Sequence, residues 1–216
     1  MPRLGRAYPV RRFITPVSGF LAPTFDAVGA GAHGTFATTS SYSHIAAAGT
    51  YAIVDVLTDR TATISSVTFG GVAMSVIGGP LTPTGISGNA SYARYGLANV
   101  TGGTQSVAIT VSASTYINSC SLTYKNVHSV GAAQTLNTGT AGTALSQSVT
   151  CTSVQVIVQS FGESHNYAIT GTSGGTNRYN QLGFSALCMS DATASTTFTG
   201  TVAASVTWAA IATVLS

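Results

Sequence analysis

Apolar and polar positions along this chain repeat over short runs separated by glycine, proline and hydroxyl residues. Residues 51–57 (YAIVDVL) are almost continuously apolar, as a strand buried on both faces would be. Residues 67–69 and 72–77 flank Gly70 and Gly71, a pair suited to a two-residue hairpin turn. That hairpin closes at Gly78, Gly79 and Pro80, and residues 80–89 read as a loop. Alternation returns at 90–97. A strand at 107–111 is entered through Gly102 and Gly103, and further strands follow at 120–124, 149–159, 167–170, 184–189, 196–198 and 206–215. Residues 129–144 and 171–175 read as loops. The pattern holds roughly ten to thirteen short strands. It predicts no amphipathic helix: Ala46, Ala47 and Ala48 are too few to nucleate one, and Gly49 stops them.

Frequent turns between short strands predict an all-β fold, a jelly-roll-like or immunoglobulin-like β-sandwich, with a small barrel fitting almost as well. Pro2, Pro9, Pro16 and Pro23 remove backbone donors from the first thirty residues, which are therefore expected to be extended and poor in sheet bonds. We divide the chain into an N-terminal docking arm and hinge over 1–34 and a sandwich domain over 35–216. The halves 35–125 and 145–216 each carry a sheet's worth of strands, but no repeat period is visible.

Composition sharpens this picture. Only 8 basic and 5 acidic residues occur among 216, against about a quarter charged in ordinary domains. Polarity comes instead from 33 Thr and 26 Ser. Arg3, Arg6, Arg11 and Arg12 carry +4 of a net +3, so the rest of the chain is close to neutral and weakly self-repelling. Such a body suits a large assembly better than a cytosolic enzyme. The apolar runs are too short to cross a bilayer as helices, so no membrane partner is expected. Pro9 and Pro16 interrupt the basic start and no apolar run follows, so no secretory signal is expected.

Candidate chemistry is thin. The acids are Asp26, Asp55, Asp59, Glu163 and Asp191, and the histidines are His33, His44, His128 and His165. Asp59 beside Arg60 reads as a turn residue, and Asp55 as part of strand packing or an edge. Glu163 and His165 are spaced to share a strand face, but no second histidine completes a local metal site. No G-x-S-x-G elbow or phosphate loop occurs. Gly29, Gly31 and Gly34 have G-x-G-x-x-G spacing without the strand and helix that the chemistry needs, and read as a hinge. Cys120, Cys151 and Cys188 are odd in number and read as buried free thiols, with one disulfide and a leftover thiol as the alternative. No catalytic residue, cofactor or metal site is expected.

Two binding readings remain. Arg3, Arg6, Arg11 and Arg12, with Tyr8 and Phe13, form a docking set on the arm, fitted to carboxylates on a protein neighbour. Nucleic acid is disfavoured because the body adds no basic surface. Tyr92, Tyr95 and Tyr179 are candidates for stacking on a glycan if their rings are exposed.

The stretch SSVTFGGVAM at 65–74, followed by ARYGLAN at 93–99, resembles a Gly/Thr-rich β-sandwich of phage virion and bacterial surface proteins. The strand at 105–111 and the closing VTWAAIA at 206–212 fit the same likeness, as does the opening GRAYP at 5–9 to small virion proteins of actinobacterial phages. The resemblance implies a minor tail protein or capsid decoration protein, present in many copies or as a homo-oligomer among other virion subunits. It supplies no catalytic residue or cofactor, and it implies location in the virion after assembly in the host cytoplasm. A carbohydrate-binding or host-surface adhesion module is the alternative.

Overall fold

The computed structural model describes residues 20–85, 88–137 and 140–216. All regular structure among them is strand. In chain order the strands are β1 (Thr24–Val28), β2 (Ala32–Ala46), β3 (Tyr51–Thr58), β4 (Ile64–Phe69), β5 (Val72–Ala73), β6 (Ser75–Leu81), β7 (Thr84–Gly85), β8 (Gly88–Asn89) and β9 (Tyr92–Leu97). They continue with β10 (Gly103–Lys125), β11 (Gln134–Asn137), β12 (Gly142–Val149), β13 (Val156–Glu163), β14 (Thr170–Ser173), β15 (Thr176–Leu182), β16 (Ala186–Ala192), β17 (Thr196–Val206) and β18 (Trp208–Leu215).

These strands stack as four antiparallel layers enclosing three cores. β10 is long enough to serve two layers. Its first part pairs with β2 and β4, its second with β1, the start of β2, and β3, and the register shifts between Thr110 and Thr115 where it turns. The sheet therefore folds over itself into a nearly closed sandwich. β3 is buried on both faces, which explains its continuous apolar run. Ala52, Val54 and Val56 fill the first core, while Ile53 and Leu57 fill the second. Facing them across the second core are Val156 and Val158 of β13, Leu187 and Met189 of β16, and Ala209, Ile211 and Leu215 of β18. The third core lies beyond, around Phe161, Phe198 and Trp208.

The two sandwiches are copies of one topology. In the first, β1 pairs with the end of β10, which pairs with β3, then β9, then β6; β2 and β4 flank the start of β10. In the second, β11 pairs with β18, then β13, β16 and β15 follow, and β12 and β14 flank β17. The correspondence keeps chain order throughout. The first copy closes with one 23-residue strand. The second breaks that strand at Thr207 into β17 and β18.

Both outermost faces are rich in hydroxyls and carry no charged side chain among the described residues. On β2 and β10 the exposed pairs include Thr39 with Thr110 and Ser43 with Ser106, together with Thr104 and Ile45, whose side chain is 69% exposed. On β12, β14 and β17, Ser148 bonds Thr197 at 2.7 Å, Ser173 bonds Thr199 at 2.7 Å, and Thr170 bonds Thr201 at 3.1 Å.

The hairpin expected at Gly70 and Gly71 forms, with φ of 58° and 80° as a two-residue turn between β4 and β5 requires. Several expectations are corrected, among them the loops expected at 80–89, which hold the end of β6 with β7 and β8, and at 129–144, which hold β11 and the start of β12. Residues 24–34 are not a free hinge: β1 and the start of β2 hydrogen-bond to β10, because the prolines lie upstream of Thr24. Gly31 and Gly34 do take positive φ, 74° and 79°, where the chain turns into β2. The run 149–159 is two strands, parted by a turn in which Gln155 donates its amide to the Thr152 carbonyl. Residues 167–169 of the expected strand 167–170 are not strand, while Thr170 and residues 171–173 of the expected loop 171–175 form β14.

Candidate functional site

Every carboxylate of the chain lies within the described residues, and every one has an internal partner. Asp26 pairs with Lys125 at 3.0 Å, Asp55 with Arg94 at 2.7 Å, Asp59 with Arg60 at 3.4 Å, and Asp191 with Arg178 at 3.0 Å. All four basic side chains of the body are thereby matched. The fifth acid, Glu163, ends β13 and accepts the backbone N–H groups of His165 (2.7 Å), Tyr167 (3.0 Å) and Ala186 (3.1 Å). Burial pushes its carboxyl up to about 7 against the pull of those three amides.

Asp55 and Arg94 sit in the second core, where the sandwiches meet. Arg94 gives Nε and one terminal nitrogen to the two oxygens of Asp55. Its other N–H groups reach the Val158 carbonyl (2.6 Å), Thr213 Oγ1 (3.0 Å) and Ser160 Oγ (2.8 Å), all in the second copy. Tyr92 bonds the same Ser160 hydroxyl. This is a clamp between sandwiches, closed to solvent.

The first core holds a second polar file. His44 bonds Ser121 Oγ at 2.7 Å and Thr123 Oγ1 at 3.1 Å, and Thr123 donates to Asp26 at 3.0 Å. Burial lowers His44 to about 4, with Asp26 pulling weakly the other way.

The tyrosines expected to stack on a glycan are interior. Tyr92 has no exposed surface, and Tyr95 and Tyr179 are 6% and 7% exposed. Period-two alternation turns Tyr92 toward the second core with Arg94, and Tyr95 toward the first. Arg3, Arg6, Tyr8, Arg11, Arg12 and Phe13 lie outside the described residues. Glu163 and His165 do not share a strand face, since β13 ends at Glu163. His165 Nδ1 and the buried Ser185 Oγ have no hydrogen-bond partner among the described residues. Among the described residues no group of three metal-ligating side chains converges, and no helix is long and apolar enough to cross a membrane.

What the sequence did not reveal is how the stack's two ends differ. At the end where the described chain begins, Phe20, Leu21 and Val154 are exposed. Beside them lies a groove of about 480 Å³ between Pro23–Phe25 of the first copy and residues 174–176 and 192–196 of the second. At the opposite end of the strands the rings of Tyr116 and Phe184 stack at 3.7 Å and 9°. Phe36 packs against Tyr116 at 5.2 Å, with the Arg60 guanidinium 4.9 Å over Phe36. Phe36 and Phe184 are each nearly half exposed. Residues from three distant segments make this platform, which is why no local signal marked it.

No protein-family model, curated protein sequence or solved structure matches the chain.

Proposed function

We propose that this chain is a structural component of a phage virion, a minor tail or capsid-associated protein that docks on neighbouring subunits through its N-terminal arm. The observation that carries the reading is the internal use of all five carboxylates, which leaves a rigid, charge-matched body with hydroxyl faces. Such a surface has little long-range repulsion between copies. The arm arginines precede Phe20 in the sequence, and Phe20, Leu21 and Val154 are exposed, so charge-assisted and apolar contacts would act together in docking. Ordering of the arm would occur on contact with its neighbour, and many copies would multiply a weak contact. Co-sedimentation tests this: the full chain should pellet with purified tail or capsid assemblies, and a chain lacking residues 1–16 should stay in the supernatant while remaining folded. Equal pelleting of both would reject arm docking.

The second reading, a host-surface or glycan adhesion module, is favoured by the platform of Phe36, Tyr116 and Phe184. It lies at the end of the strands far from Phe20, where a protein docked through the preceding segment would face outward. Half-exposed rings stack on the apolar faces of sugars. A glycan array in which the native chain gives a signal and F36A/F184A gives none would establish it. No signal from either would remove it.

A further inference from the structure

The groove beside β1 is built around one incompletely used arginine. Arg178 directs Nε at both oxygens of Asp191, each at 3.0 Å, and Tyr124 donates its hydroxyl to the same carboxylate at 3.0 Å. The guanidinium lies over the Phe25 ring, 3.8 Å from its centroid. These contacts fix the plane of the group and occupy one edge. Its two terminal nitrogens have no acceptor among the described residues, and the side chain is 26% exposed at the groove.

The walls are equally fixed. Gly174 has φ of 91°, and a Cβ there would meet the Thr197 carbonyl at 2.3 Å; at Gly175 it would meet the Asp191 carbonyl at 2.4 Å. The backbone can approach this closely only without side chains. Thr176, Thr193 and Thr196 add hydroxyls to the lining.

Resting on the docking reading above, we propose that this groove binds a carboxylate side chain presented by an extended segment of a neighbouring protein subunit. A guanidinium anchored at Nε offers its terminal N–H pair to a planar carboxylate in two parallel bonds. Asp191 also lines the groove, and its carboxylate is already engaged by Arg178 Nε and the Tyr124 hydroxyl. Charge supports an acidic partner: Arg178 lines the groove, Lys125 pairs in register with Thr24 at the start of β1, and Arg3, Arg6, Arg11 and Arg12 precede Phe20 in the sequence. The exposed Phe20, Leu21 and Val154 nearby favour a protein partner over a sugar. One such contact is weak, and repetition over many subunits makes it effective.

The test titrates the full chain, labelled with nitrogen-15, with a capped pentapeptide carrying two glutamates and with its glutamine counterpart. The glutamate peptide should shift the amide signals of Gly174, Gly175 and residues 193–196, and the glutamine peptide should not. R178Q should weaken binding about tenfold or more. T193W should block the groove while leaving the Arg178–Asp191 pair and the thermal midpoint intact, so it decides the matter if R178Q misfolds. Equal shifts from both peptides, or binding that survives T193W, would overturn the proposal. Tighter binding at these amides by inorganic phosphate or a single-stranded oligonucleotide would also overturn it. Arm truncation in the sedimentation assay tests docking, and this titration tests the groove, so either can fail without the other.

Discussion

Arg94 and Asp55 form an ion pair with no exposed side-chain surface, and all five N–H groups of the arginine are used, two on Asp55 and three on the opposing sandwich. Burying an ion pair is costly, and the fully satisfied geometry offsets that cost. Removing one partner leaves the other charge stranded. R94M should therefore lower unfolding free energy by about 3–5 kcal/mol in urea titrations. The double variant R94M/D55L should lose less than the sum of the two single variants, because it strands no charge. Additive losses would mean that the pair is not the unit holding the two copies together.

Neither copy of the topology should fold alone. Separation would expose Ile53, Leu57, Tyr92 and Leu122 on one side and Val158, Leu187, Met189 and Ile211 on the other. At about 1.5–3 kcal/mol for each large side chain, that loss rivals the whole stability of a typical domain. Fragments 20–130 and 131–216 expressed separately should aggregate or bind a hydrophobic dye. Expressed together they should assemble into a complex with the far-ultraviolet dichroism of the intact chain. A monomeric, cooperatively melting single fragment would contradict this.

The strands that were legible were those whose pattern is set by their immediate neighbours. Residues 51–57 and the Gly70–Gly71 hairpin needed no distant information. What stayed hidden was set by partners far along the chain. The runs 107–111 and 120–124 read as two strands, yet β10 is continuous because β2 follows it around the corner. Tyr92, Tyr95 and Tyr179 carried the residue type of a sugar platform, but Tyr95 is covered by the facing layer of its own sandwich and Tyr92 and Tyr179 by the meeting of the two sandwiches, which no local window contains. The platform that does form uses Phe36, Tyr116 and Phe184, which lie in different strands and a loop. The duplicated topology was missed because loop insertions, β5, β7 and β8, occur in only one copy and destroy any fixed period.

Thiol chemistry should distinguish three free cysteines that look alike in sequence. Cys120 and Cys188 are buried in the second and third cores, and burial pushes the Cys188 thiol up to about 11. Cys151 lies in the turn after β12 and is partly exposed. An aromatic disulfide reagent at pH 8 should titrate one thiol per native chain and three after unfolding in urea. C151S should abolish the native reaction. Rapid reaction of a second thiol in the native state would mean that one of these cores opens.

Two buried groups that both favour the neutral form, one a base and one an acid, should leave opposing marks on stability. His44 has a folded value of about 4, below its usual 6.5, because burial disfavours the cation. Between those values the unfolded chain binds a proton that the native chain refuses, so this group makes stability rise with pH. Glu163 has a folded value of about 7, above its usual 4.5, because burial disfavours the anion. Between those values the native chain holds a proton that the unfolded chain has lost, so this group makes stability fall with pH. His165, also lowered by burial, adds to the rising side. From pH 4.5 to 6.5 the contributions of His44 and Glu163 oppose each other, each on the order of 3 kcal/mol over its full range. H44N should tilt the stability profile downward with rising pH relative to the native chain, and E163Q should tilt it upward. E163Q should also cost stability at every pH, since its amide would face the His165 N–H that Glu163 now accepts. Urea unfolding at half-unit steps from pH 4.5 to 7.5 reads both slopes. Profiles that stay parallel to the native one in both variants would show that neither group titrates differently on folding.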